Sequence, residues 1–118
     1  MRDRRRARRA GRWAETAGAW LFRLKGYRIL AQDYRVPVGE IDLLARRGRV
    51  LVAAEVKWRP SLRAGAEAVT ARQQRRIARA VEAYIARHPD LAGLDVRFDV
   101  VLVVPWRRPH HIMDAWRP

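Results

Sequence analysis

GEIDLLARRGRVLVAAEVKWR, residues 39–59, decides how this chain is read. Two runs rich in branched aliphatic residues flank Arg47-Gly48, where glycine suits a tight turn. The stretch is a β-hairpin whose arms carry Glu40, Asp42, Glu55 and Lys57. The chain has 12 acidic residues against 26 basic ones, and three of the twelve fall here. Side chains two apart on a strand share a face, so Glu40 goes with Asp42 and Leu44, and Ala53 with Glu55 and Lys57. A turn centred on Arg47-Gly48 pairs Ala45 with Val50, sets Asp42 across from Ala53 and Glu40 across from Glu55. All four polar groups then share one face, and a slip by one residue would separate them.

Two carboxylates directly opposite each other repel at a cost of up to ~1 kcal/mol. Mg²⁺ or Mn²⁺ reverses the sign, because such hard cations seek oxygen ligands. A lysine beside them orients or deprotonates water, or stabilises charge developing on a phosphate. Together these groups point to metal-dependent phosphodiester hydrolysis. The bland alternative is a surface hairpin with cross-strand Glu–Lys pairing. Ile41, Leu43, Leu51, Val52 and Val56 weigh against it, since they put at least one face of the hairpin in a core.

The composition names the substrate class. At 118 residues the chain suits one domain, and a net charge of +14 calls for a polyanionic partner, nucleic acid first and DNA favoured. A membrane surface is the competing polyanion, but no strongly basic amphipathic helix with a clean lipid face is evident. No apolar run approaches the roughly 20 residues needed to span a bilayer. The absence of cysteine excludes disulfides and thiolate chemistry and fits a cytoplasmic protein. Residues 1–12 hold seven arginines and one aspartate, with no apolar core for a secretory signal. Residues 1–10 are read as a basic arm, unstructured or phosphate-gripping, ahead of a single domain over 11–118. Of the 26 basic residues, 24 are arginine, and Lys57 is one of the two lysines. A compact ammonium does chemistry that a guanidinium does not.

The remaining elements follow from periodicity. Residues 11–25 are helical, with Trp13, Ala17, Trp20, Leu21 and Leu24 expected on one apolar face and Glu15, Gly18 and Phe22 on a second. Glu15 by itself is explained by the positive end of the helix. Strands are expected over residues 27–36, 40–46, 50–59 and 96–104, and a last short strand or turn over 110–116. Residues 61–69 read as a loop. Thr70 and Gln73 match the capping box that opens a helix closed by His88-Pro89. Arg72, Arg75, Arg76 and Arg79 decorate that helix as a phosphate-binding row, while His110 and His111 read as tail residues. The order is that of an α/β sandwich on a mixed sheet.

GRWAETAG (11–18), the run from 25 to 59, GAEAVTARQQRR (65–76), VRFDVVLV (96–103) and HIMDAW (111–116) resemble the YraN-like family of small bacterial proteins. That family is similar to the PD-(D/E)xK, restriction-endonuclease-like nucleases and to archaeal Holliday-junction resolvases. The resemblance implies a three-layer-like sandwich, a central mixed sheet flanked by helices. It implies Asp42 and Glu55 as ligands of Mg²⁺ or Mn²⁺, Lys57 as the motif lysine, and Glu15 as a further acidic ligand. Glu40 and Gln73 match supporting positions, and Arg59 a phosphate grip. Paired cuts in a branched substrate would call for a homodimer. Ile41 stands where the superfamily has proline, Arg72 where a lysine is expected and Asp33 where asparagine is usual. The alternative to an endonuclease is a non-catalytic nucleic-acid-binding or interaction module on the same fold; a third reading makes the carboxylates a structural salt-bridge network.

Overall fold

VRFDVVLVV ends in five consecutive apolar residues, Val100 to Val104, and the structure buries that run from both sides. This computed structural model describes residues 2–59 and 69–118, with side chains from residue 12 onward. The helix α1 covers Arg2–Leu24. Three strands follow, β1 (Arg28–Val36), β2 (Gly39–Arg47) and β3 (Val50–Trp58). Then come α2 (Ala71–Arg87), a 3₁₀ turn at Pro89–Leu91, β4 (Asp95–Val103) and β5 (His110–Trp116). Among the described residues, five strands form one sheet in the order β1-β2-β3-β4-β5. All neighbours are antiparallel except β3 and β4, which run parallel with α2 in the crossover between them.

The helices cover opposite faces of this sheet. On one side Ile77, Ala80, Val81 and Tyr84 of α2 pack on Leu44, Leu51, Ala53, Val100 and Leu102. On the other, Ala14, Ala19 and Phe22 of α1 pack on Leu43, Ala45, Val52, Val56 and Val101. Each fully buried Val or Leu in these layers contributes about 1.5–3 kcal/mol. The expected α/β sandwich with a mixed sheet and flanking helices is what the structure shows. The capping box also forms, with Thr70 Oγ1 accepting from Gln73 N and Thr70 N donating to Gln73 Oε1.

Four expectations change. First, α1 begins at Arg2 and not at Gly11, so the backbone of the basic segment is helical. Second, the face of α1 placed in the core is largely outside it: Trp13 and Trp20 are each more than half exposed and Leu24 is 82% exposed. The Gly18 and Phe22 stripe meets the sheet instead, with Phe22 fully buried and α1 close to Val56 at Gly18; a Cβ there would lie 3.1 Å from Val56 Cγ2. Third, the β2–β3 turn is Gly48–Arg49, with Gly48 at φ 59° and Arg47 paired with Val50. Leu44, not Asp42, therefore stands across from Ala53. A register displaced by two preserves facing, since side chains alternate with period two. Fourth, the final segment is a full strand on the edge of the sheet. The loop expected over 61–69 lies outside the described residues except for Val69.

Candidate active site at the fork of β2 and β3

The β2–β3 ladder runs from Arg47 and Val50 as far as Leu43 and Ala54, while both strands continue past it. Beyond that point β3 stays paired with β4 through Glu55, Val56, Lys57 and Trp58, and β2 stays paired with β1 through Ile41, Glu40 and Gly39. The sheet therefore forks, and Asp42 occupies the fork. Its Oδ2 accepts a 2.9 Å hydrogen bond from the Val56 amide, a donor that the ladder leaves free. Strand alternation also breaks here. Ile41 belongs to the α2-side core and Leu43 to the α1-side core, although they are two residues apart.

What holds the fork open is the contact of the β1–β2 tip with α2. Gly39 passes so close to that helix that a Cβ would sit 1.8 Å from the Arg76 carbonyl oxygen. Arg76 Nη2 and Nε donate to Glu40 Oε2 at 2.9 and 3.1 Å. Tyr34 of β1 meets Tyr84 of α2 edge to face, with ring centroids 5.2 Å apart. Glu40 is thereby drawn to Arg76, which holds its carboxyl below the usual range, and does not stand across from Glu55 as the hairpin pattern predicts.

Asp42, Glu55 and Lys57 are brought together. Lys57 Nζ lies 3.1 Å from Glu55 Oε1, and both side chains are largely buried. Burial pushes Glu55 up to about 7, the negative charge of Asp42 adds to that rise, and Lys57 opposes it. Burial likewise raises Asp42, against the Val56 amide and the Lys57 charge, which lower it. Glu15, on the α1 turn before Gly18, is raised by burial first and then by the charges of Asp42 and Asp33. The site is thus a partly buried cluster of carboxyl groups in a chain of net charge +14.

Residues 14–103 match the profile of the Uncharacterised protein family UPF0102. The chain belongs to this family. It is 54% identical to a UPF0102 protein of Parvibaculum lavamentivorans over 93% of this chain and 83% of that one. It is 50% identical to one of Paramagnetospirillum magneticum, over 94% of this chain and 89% of the relative. A relative from Chelativorans is 49% identical, over 97% and 92%. The UPF0102 match spans Glu15, Asp42, Glu55 and Lys57 and stops at the end of β4, before β5.

The other expected site residues of this UPF0102 protein are scattered around the fork. Gln73 has its amide oxygen engaged by Thr70 N, with its NH₂ left to donate. Arg72, Arg75 and Arg79 are exposed on α2, whereas Arg76 is half-buried against Glu40. Arg59 Nη1 donates to the Trp58 carbonyl at 2.8 Å, and its own amide donates to Val103 O at 3.0 Å. The side chains of residues 1–10 lie outside the described ones.

Two groups escape the sequence reading. Asp33, at φ 48° on β1, adds negative charge felt by both Asp42 and Glu15. A left-handed aspartate on a strand gives no signal in a period-two pattern. The second is His111, whose side chain is 2% exposed and whose Nε2 lies 2.6 Å from the wholly buried Asp99. Lys25 Nζ lies 2.8 Å from Nδ1. An ammonium only donates, so Nδ1 accepts from Lys25 and Nε2–H donates to Asp99. Arg97 and the Asp114 amide complete the shell of Asp99. His111 is therefore a core residue and not a tail residue, and its signal was Asp99, the one charged residue in the run from Phe98 to Val104.

Proposed function

We infer that this UPF0102 protein is a metal-dependent nuclease of the restriction-endonuclease-like type, acting on DNA, with branched structures among the substrates to test. The observation that carries it is Asp42 in the β2–β3 fork beside Glu55 and Lys57 on one strand. A forked mixed sheet between two helices, with that triplet at the fork, is consistent with the PD-(D/E)xK plan. Three exposed arginines on α2 and the net charge of +14 suit a phosphate backbone.

The site fits a hard divalent cation. Its donors are all oxygen, and Glu55 is held near pKa 7 because Lys57 does not offset burial together with the Asp42 charge. Among the described residues no three Asp, Glu or His side chains form a ready-made metal cluster, so water and substrate oxygens would complete the shell, as Mg²⁺ sites commonly require. Asp42 and Glu55 would hold Mg²⁺ or Mn²⁺, with Glu15 as an outer carboxylate. The ion would polarise the phosphate and lower the pKa of water. Asp42 is fixed for this by the Val56 amide, and Glu55 by Lys57. The Lys57 ammonium, held at 3.1 Å from Glu55, orients the attacking water and donates to the phosphate oxygen as charge develops there. Arg59 and the α2 arginines hold flanking phosphates. A homodimer would supply two such sites for paired cuts.

The test is incubation of the full chain with labelled linear duplex, single-stranded and four-way-junction DNA in Mg²⁺ or Mn²⁺, alongside Lys57→Ala and Asp42→Ala. Cleavage by the wild type and its loss in both variants is the expected result. Binding of every substrate with no cleavage of any would replace the enzyme with a non-catalytic module on the same fold.

A further inference from the structure

One residue beyond Lys57, β3 ends in Trp58, and its ring helps to line a shallow groove of about 230 Å³ with Trp13, Pro105 and Trp106. The groove lies at the carboxyl ends of the parallel pair β3 and β4, where Trp58 pairs with Val103, two residues before Pro105. Trp106 is wholly exposed and sits at φ 62°. A non-glycine residue in that region costs about 1–3 kcal/mol, and an exposed ring gives no packing in return. Trp13 is 55% exposed on α1, two residues before Glu15. Three indole rings thus face solvent at the carboxyl end of β3, on the α1 side that Trp58 shares with Val56, while Arg12, Arg59, Arg107 and Arg108 adjoin them in sequence.

Resting on the nucleic-acid reading above, we propose that this groove stacks unpaired nucleobases of a single-stranded segment that passes the carboxyl end of β3, on the face of that strand opposite Lys57. Rings offer a sequence-tolerant platform for base faces, and the neighbouring guanidinium groups supply positive charge along the backbone. Bases in an intact duplex keep their faces covered by stacking, so the groove selects the open strands at a branch, flap or end. The occupant is small and flat, since the groove is below the roughly 300 Å³ at which pockets for larger ligands begin. A membrane surface fits less well, because the rings line a concavity shared by α1, β3 and the turn after β4, and not the free face of one helix.

The test is fluorescence anisotropy with labelled oligo-dT and a duplex of equal phosphate number, in EDTA so that no cleavage enters the reading. Trp58→Ala and Trp106→Ala are compared with Trp20→Ala, an exposed tryptophan of α1 outside the groove. Stacking of one base is worth about 5- to 150-fold in affinity. Each groove variant is expected to lose at least about 5-fold on oligo-dT and less than about 2-fold on duplex, with Trp20→Ala unchanged on both. Equal losses on both ligands, or none on oligo-dT, overturn the proposal. So does a shift of Trp106→Ala from dimer to monomer in sedimentation, or a loss of binding to phosphatidylglycerol vesicles, when oligo-dT affinity is kept. If the wild type binds neither nucleic acid, the nuclease reading falls as well. If junction DNA is cut while the groove variants bind oligo-dT as the wild type does, the groove proposal alone falls.

Discussion

The Val56 amide donates to the Asp42 carboxylate at 2.9 Å, a side chain taking the place of a strand partner where β2 leaves β3. The bond fills an orphaned donor and fixes the carboxylate nearest the fork, one role in the fold and, on the metal-site reading, one at the site.

Substitution at Asp42 separates these roles. Asp42→Asn keeps an oxygen for Val56 and removes the charge, so stability stays within about 1 kcal/mol of wild type while Mn²⁺ no longer raises the melting temperature. Asp42→Ala leaves the amide unpaired and costs about 1–3 kcal/mol as well. Denaturant unfolding with and without Mn²⁺ measures both. Equal metal-induced stabilisation of wild type and Asp42→Asn would remove Asp42 from the ligand set.

Glu55 sets a pH dependence whose sign is opposite to that of an ordinary salt-bridged carboxylate. Its folded pKa of about 7 lies above its value of 4.5 without the fold. The folded state binds the proton more tightly, so this stability is complete below pH 4.5 and is lost as pH rises through 7. The loss approaches about 3 kcal/mol, at 1.36 kcal/mol per pKa unit. In EDTA, Glu55→Gln flattens the fall in stability between pH 5 and 8 measured by urea unfolding. In Mn²⁺ the wild type regains stability above about pH 7, where the carboxylate is ionised. An identical slope in wild type and Glu55→Gln would refute this assignment.

Much of this was legible in the sequence, and the failures have physical causes. Strand positions followed from β-branched runs, and the capping box from Thr70 and Gln73 alone. Glu55 and Lys57 share a face by strand parity, which a register displaced by two leaves intact, while Asp42 joins them from the break in alternation, held there by the Val56 amide. Glu40 was misplaced because its partner, Arg76, is 36 residues away and the break in alternation at Asp42 is tertiary in origin. The outward tryptophans of α1 matched a core pattern in spacing, but spacing does not say which of two apolar stripes meets the sheet. Gly18 favours its own stripe by easing the approach to Val56, on which a Cβ would press at 3.1 Å.

Gly39 keeps the fork open, and Gly39→Val tests it. Any Cβ at this position collides with the Arg76 carbonyl, so the β1–β2 tip must lift from α2 and strain the Glu40–Arg76 pair. A cost of about 3 kcal/mol is expected from overpacking against backbone. Arg76→Ala removes only the partly exposed ion pair and costs less than about 1 kcal/mol. Thermal unfolding of the two variants is expected to rank them in that order, and the reverse ranking would show that the ion pair, not the close approach, sets the tip.

Asp99 holds the far side of the sheet. Burial alone would raise its pKa, but His111, Arg97 and the Asp114 amide bind the carboxylate and hold it below the ordinary range. A lowered pKa contributes stability above the unfolded value, and this is lost as pH falls through the folded one. Asp99→Asn removes the charge that faces Arg97 and keeps only one of the two acceptor oxygens, so that either His111 Nε2–H or the Asp114 amide loses its partner, for an expected loss of about 3–5 kcal/mol. Asp99→Asn paired with His111→Gln should lose less than the sum of the single variants, since both cut one network. A double-mutant cycle by urea unfolding measures the coupling. Strict additivity would mean that β5 is held by Ile112 and Trp116 packing, with the buried ions as bystanders.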